Sequence, residues 1–341
     1  MSFIALVLAL LIEQVRPLPD GNLLHQGVAQ WHQWVRHFIH PDDQRSAWTA
    51  WSLAVVLPTV LVLLIHWLLL YVLGWFLAIV WACLVLYACL GFRQFSHHFS
   101  SIRDAISMGQ YDEAAQALAQ WRGVDRVTSE PTELTRQLIE HASLESHRHV
   151  FGVVFWFSML AALGLGPTGA VFYRLNEFVA RAWSNRSDDF PVSGQVDAQV
   201  SAQAWHVVDW LCVRVTALMF AIAGNFEDAV DAWRTQASRQ SLSNEEVLIC
   251  ATSGAIGVQL GAAFQSEATN SMASDTTTAS MKPQSHHLRS LVGLVWRTVV
   301  AWVALLGLMT LALHLIVEAT KPITQSYGMH VVLSVLPNDP V

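Results

Sequence analysis

From Ala47 to Leu90 the chain carries no Lys, Arg, Asp or Glu, and Arg45 and Arg93 bracket the run. A helix needs roughly 20 apolar residues to cross a bilayer, so this run holds two spans back to back. Gly74 lies near its middle among His66, Trp67, Tyr71 and Trp75, an aromatic cluster of the kind found at a membrane–water interface. The pattern predicts a helical hairpin, Ala47–His66 and Tyr71–Gly91. Val150–Tyr173 is the next uncharged run and fits one span, with Gly164-Leu165-Gly166-Pro167-Thr168-Gly169 inside it. Leu211–Ala223 is apolar but short and carries Arg214, and Thr298–Val317 is a clean final span after Arg289 and Arg297. Met1–Ile12 is short and lacks the basic start and cleavage site of a signal peptide. It reads as a retained short span or a re-entrant segment.

The polar stretches alternate with these runs. Residues 18–46, with Trp31, Trp34 and Phe38, predict either an amphipathic helix on the membrane or a solvated loop with a short helix. Residues 98–147 predict helices, because Ile102, Ile106, Ala114, Ala117, Leu118 and Trp121 recur at steps of three and four. Gly109 breaks the first helix, and Pro131 starts another with Thr128 or Ser129 near its cap. Residues 184–204 read as a loop and 266–287 as a disordered linker. Gly109-Gln110-Tyr111-Asp112-Glu113-Ala114 echoes Gly224-Asn225-Phe226-Glu227-Asp228-Ala229, each a glycine stop followed by two acids in the next first turn. The fold expected is all-α, a polytopic transmembrane protein with about 5–6 membrane segments and cytoplasmic helix–turn–helix elements. Its expected divisions are a membrane region over 1–97, a cytoplasmic helical segment over 98–149, a membrane core over 150–262, a linker over 263–288, and a final helix and tail over 289–341.

Basic residues orient the chain. If every apolar segment crosses, Arg16, Arg36, Arg45, Arg93, Arg103, Arg122, Arg126, Arg136, Arg148, Arg234, Arg239, Lys282, Arg289 and Arg297 share one side. Arg174, Arg181, Arg186 and Lys321 face the other. The first side is then the cytoplasm of a bacterial inner membrane. Composition agrees: the chain is 53% hydrophobic and 13% charged, against about a quarter charged in soluble domains. The net charge of −7 excludes nucleic acid as an expected partner. Cys83, Cys89, Cys212 and Cys250 form no CxxC pair, so buried thiols are expected rather than disulfides or a zinc ribbon.

Little chemistry is written in motifs. On one helix Glu145 shares a face with His141 and His149, but Arg148 beside them repels a cation, so no metal and no cofactor are expected. Arg214 in an apolar segment costs about 2.5–3.5 kcal/mol near a bilayer centre. It calls for an acidic partner, Asp209, Glu177 or Glu145, or for snorkelling to the surface.

Asp209-Trp210-Leu211-Cys212-Val213-Arg214-Val215-Thr216-Ala217 resembles the Asn/Asp-Trp-x-Pro-x-Arg-Leu-Thr-Ala stretch of CobD/CbiB proteins. Ser253-Gly254-Ala255-Ile256-Gly257-Val258-Gln259-Leu260-Gly261 resembles their Ala-Gly-Ala-Leu-Gly-Val-x-Leu-Gly, and Phe155-Trp156 and Gly166-Pro167-Thr168-Gly169 through Arg174 are also similar. That family implies a membrane synthase forming the amide between a cobyric acid and an aminopropanol side arm in cobalamin assembly. The family's Glu-Asn-x-x-Asp becomes Glu145-Ser146-His147-Arg148-His149, its Asn-Thr-Leu-Asp becomes Asn176-Glu177-Phe178-Val179, and its Gly-Arg-Asp-Thr becomes Gly123-Val124-Asp125-Arg126. These lost acids point instead to the AmpE-like sister branch. The resemblance then implies a non-catalytic modulator linked to cell-wall sensing, with a cytoplasmic protein or a cell-wall metabolite as partner beside the lipid bilayer. The residues it marks for binding or structure are Asp209, Trp210, Arg214, Glu145, His149, Gly166, Pro167, Gly169 and Arg174. The enzyme alternative, the cobalamin synthase, places Glu145, Asp125 and Arg214 in one cavity.

Overall fold

The computed structural model describes residues 2–15, 23–38, 44–184, 193–239, 243–261 and 281–333. Thirteen α-helices fill these residues: α1 Ser2–Val15, α2 Leu23–Phe38, α3 Gln44–Val72, α4 Trp75–Cys89, α5 Phe92–Ser107, α6 Tyr111–Arg122, α7 Pro131–Ser146, α8 Gly152–Ala162, α9 Thr168–Ser184, α10 Ser193–Ala223, α11 Phe226–Arg239, α12 Asn244–Ile256 and α13 Ser285–Leu333. The one β feature among the described residues is an isolated bridge between Val258 and Met281. Three helices are long and apolar enough to cross a membrane, over Gln44–Val72, Val196–Ala223 and Ser285–Ala312, with shorter apolar helices at Phe3–Val15 and Trp75–Cys89. The chain is an all-helical membrane protein.

α3 shows why. Its small residues Ala47, Ala50 and Ala54 are buried, while Leu57, Leu61, Leu64 and Leu68 form an exposed stripe at steps of three and four. In water such a face is an aggregation surface; in a bilayer it is the face that meets solvent. α2 lies on the polar end of α3, burying Val35 with Ala50, Ala54 and the α9 residues Val179 and Trp183. Within residues 18–46, 23–38 form α2, and 18–22 and 39–43 lie outside the described residues. α1 packs on α4, α8 and α13.

Several expected boundaries move. The α3–α4 turn falls at Gly74, where φ is +84° and a side chain would be strained. α3 therefore continues past His66 to Val72. His66 is buried against Gly166, apart from the exposed Trp67, Tyr71 and Trp75. The cap of α7 is Glu130, whose carboxylate accepts from the Glu133 N–H, and not Thr128 or Ser129. The loop expected over 184–204 is helical from Ser193 onward, so the short segment Leu211–Ala223 is the end of a 31-residue helix. Of the expected linker, 263–280 lies outside the described residues, and His286 and His287 belong to the first turn of α13.

The largest correction concerns Val150–Tyr173, expected as one span. It is two helices, α8 and α9, folded back on each other. Gly152 lies against Tyr173, and Gly169 so close to the Trp156 backbone that a Cβ there would sit 2.0 Å from its oxygen. The turn uses Gly164 (φ +79°) and Gly166 (φ +62°). α8 has 11 residues, about 16 Å at 1.5 Å each, half of what a bilayer core requires. The sequence pattern missed the break because a buried hairpin and a continuous span are equally uncharged. Consequently Arg174 and Arg181 return to the same end as Arg148, not to the opposite side.

Candidate functional site: charged groups at the foot of a helical hairpin

Between α7 and α8 the helix widens into one π turn, His147–Phe151, in which the Gly152 N–H bonds back to His147 O. Such turns insert a residue and re-aim the side chains around them. Here three successive residues face three helices. His147 meets Asp209 on α10, Arg148 meets Glu245 on α12, and His149 meets Arg174 on α9.

The outer layer is a ring of opposite charges. Glu145 is buried and receives Arg181 Nη2 at 2.5 Å, Arg148 Nη1 at 3.3 Å and His149 Nε2 at 2.9 Å. Glu177, equally buried, takes Arg174 Nη1 at 2.6 Å and Arg181 Nε at 2.8 Å. Arg174 Nη2 also donates to His149 Nδ1 at 2.9 Å. A guanidinium can only donate, so Nδ1 is an acceptor and the ring hydrogen sits on Nε2, where it is donated to Glu145. His149 is thus a neutral relay between Arg174 and Glu145. Gly91 at the end of α4 makes room for it, since a Cβ there would lie 2.6 Å from Nδ1. Burial opposes ionisation of Glu145, but the His149 bond and the charges of Arg181 and Arg148 outweigh it and hold the carboxyl well below the usual range. Arg181 keeps 47% of its side chain exposed, so this ring opens to solvent on one side.

A second, inner layer lies behind it. His147 Nε2 is 2.9 Å from Asp209 Oδ1, and its Nδ1 is 3.0 Å from the Thr216 hydroxyl. The Tyr173 hydroxyl donates to the same Asp209 oxygen at 3.1 Å. Cys212 Sγ lies 3.7 Å from His147 Nε2. All these side chains are buried.

The structure thus gathers Glu145, His149 and Arg174 in one layer and Asp209 in the next. Gly166, Pro167 and Gly169 sit at the far end of the hairpin and shape its turn. Arg214 pairs with no acid among the described residues. Its guanidinium stacks 4.2 Å over Trp210 and donates to Trp210 O and to Asn244 Oδ1. Asp209 and Glu145 are already held by other groups. Asp125 lies exposed on the loop after α6 and makes no side-chain bond to this layer among the described residues. Among the described residues Glu145, Asp125 and Arg214 share no hydrogen bond or ion pair. Sequence reasoning offered Glu177 only as a partner for Arg214 and did not name Arg181, Tyr173, Cys212 or His147 as site members. One signal was available: Arg174, Glu177 and Arg181 recur at steps of three and four, one charged stripe on a helix whose other residues are uncharged.

Fold and site together define a polytopic helical membrane protein with a buried, charge-balanced centre where its apolar helices end. The chain belongs to the CobD/CbiB family: the family described as CobD/Cbib protein matches residues 3–295. Curated relatives include a protein named Cobalamin biosynthesis protein CobD from Stutzerimonas stutzeri, 30% identical over 262 residues, 76% of this chain and 80% of that protein. A protein of the same name from Chromobacterium violaceum is 30% identical over 179 residues, 52% of this chain and 54% of its own. No solved structure matches. These relatives overturn the AmpE-like modulator reading; the membrane-spanning helices support the lipid bilayer as a partner, and neither a cytoplasmic protein nor a cell-wall metabolite is shown as one. That reading rested on acids counted as lost from linear motifs. In space, Glu177 and Asp209 stand within two layers of Glu145, so the centre is not short of carboxylates.

Proposed function

We propose that this chain acts in cobalamin biosynthesis at an amide-forming step, joining the carboxyl of a corrin acid to an amino-alcohol side arm. The observation that carries this reading is the pairing of Glu145 and Glu177 with Arg148, Arg174 and Arg181 at an edge open to solvent. Amide formation needs a neutral amine beside a carboxyl activated by a nucleoside triphosphate as an acyl phosphate; the nitrogen attacks the carbonyl carbon, the C–O bond to phosphate breaks and phosphate leaves. Glu145, kept ionised by its arginines, pairs with the incoming ammonium and positions its nitrogen, while the proton is lost to solvent. Arg181, exposed and shared between two acids, turns toward the substrate oxyanion and stabilises the charge that develops there. Arg174 and His149 fix Glu145 from behind.

We further propose a bacterial inner-membrane location with the charged foot in the cytoplasm. Arg45, Arg93, Arg122, Arg126 and Arg148 support that orientation, joined by Arg174 and Arg181 once the hairpin returns. The six membrane segments are α1, α3, α4, the α8–α9 hairpin, α10 and α13. Expression in a bacterium deleted for its own family member tests the function. Restored cobalamin-dependent growth, absent with empty vector, is the expected result; no restoration by a protein shown to reach the membrane would overturn the reading.

A further inference from the structure

The inner layer carries chemistry that the proposed reaction does not use. Four potential ligand atoms from three elements converge: His147 Nε2, Asp209 Oδ1, Cys212 Sγ and the Tyr173 hydroxyl. The His147, Asp209 and Cys212 donors all lie within 4.8 Å of one another and all three residues are buried. Nε2 alone faces Asp209 at 2.9 Å, Tyr173 at 3.4 Å and Cys212 at 3.7 Å. With bonds of about 2.0–2.3 Å to nitrogen, oxygen and sulfur, the ligand atoms of tetrahedral zinc stand about 3.3–3.7 Å apart. The contacts of 3.1 Å, 3.4 Å and 3.7 Å already lie near that spacing, and side-chain movements of about an ångström or less turn this cluster, whose three donors all lie within 4.8 Å of one another, into such a cage. The other ring nitrogen of His147 is tied to the Thr216 hydroxyl, which itself donates to Cys212 O. That is the outer contact that fixes ring orientation in metal-binding histidines.

We propose that His147, Asp209 and Cys212 bind one divalent transition-metal ion of zinc's class, with Tyr173 facing the fourth position. A nitrogen, a carboxylate and a thiolate suit zinc better than magnesium or calcium, which take oxygen ligands. Charge also balances. The cation offsets one carboxylate and one thiolate, and binding releases the Cys212 thiol proton to solvent. The ion sits behind the Glu145 ring, where it holds α10 against the π turn and α9.

Full-length protein purified in detergent from zinc-supplemented cells tests this independently of any cobalamin activity. Mass-spectrometric metal analysis should find close to one zinc per chain, falling at least about tenfold in Cys212→Ser and His147→Gln. Thr216→Val, which removes only the outer contact, should weaken binding by about tenfold. Cobalt loaded in place of zinc into the unmutated protein should give a thiolate-to-metal charge-transfer band together with the strong visible bands of a tetrahedral site. This readout stands even if the variants fail to fold. Absence of the thiolate band from cobalt-treated wild-type protein, or zinc retained at the wild-type level in folded Cys212→Ser, overturns the assignment.

Discussion

His141 sits one turn before Glu145, its ring edge-on to Trp121 with centroids 4.6 Å apart and its Nε2 buried without a partner. Burial pulls its pKa down to about 4, with Arg122 and Arg148 adding to the shift and Glu145 opposing it. The unfolded chain protonates the ring near its ordinary value of about 6.5. Between these values the unfolded state binds more protons, so stability falls as pH drops from about 6.5 through about 4, by roughly 3 kcal/mol in all. Glu145 acts in the same direction at lower pH: its depressed pKa contributes stability above the ordinary carboxyl range that is lost on acidification. Melting of detergent-solubilised protein followed from pH 7 to 4.5 should show this fall, and His141→Gln should flatten it. An unchanged acid limb in that variant would show that the ring titrates as a surface histidine. Arg214 gives a second residue-scale prediction. With an amide partner and a stacked indole instead of a buried acid, Arg214→Ala should cost about 1–2 kcal/mol, well short of the roughly 3–5 kcal/mol for breaking a buried ion pair. Glu145→Gln should reach that larger range, and the two melting shifts measured together check the difference.

At the scale of elements, the α8–α9 hairpin decides where the charged groups meet. Gly169→Ala would drive a methyl into the Trp156 backbone. Backbone cannot swing aside as a flexible side chain can, so the variant should lose most of its folded yield, read by size-exclusion of detergent extracts. Gly164→Ala at the turn meets nothing within 4 Å and should cost only about 1–2 kcal/mol of left-handed strain. The hairpin also fixes sidedness: cysteines placed at Asp125 and Ser184 in intact cells should be labelled from the same face, and labelling from opposite faces would mean that the segment crosses. The α3–α4 hairpin and the Gly109 break were legible in the sequence because long charge-free runs and glycine stops act locally. The Val150–Tyr173 fold-back was not, since hydropathy records burial and is blind to direction. The pairing of Glu145 with Arg181, 36 positions apart, depends on that direction.

Over the whole molecule, apolar helices suited to a bilayer end in a buried foot of paired charges. Family membership was legible in the segment from Asp209 to Ala217, yet the functional inference drawn from motif letters went astray. A motif counts acids along the chain, whereas a site gathers them across helices, and here Glu177 and Asp209 reach the centre from two other elements. The central claim is that this centre supports amide formation. The most direct measurement incubates the purified, detergent-solubilised protein with cobyric acid, the amino-alcohol side arm and a nucleoside triphosphate to activate the carboxyl, and analyses the products by mass spectrometry. Appearance of the amide-linked corrin with wild-type protein, reduced at least about a hundredfold by Glu145→Gln in protein that still elutes as a folded species, is the result the account predicts. No amide product from folded wild-type protein, or undiminished product from Glu145→Gln, would contradict it.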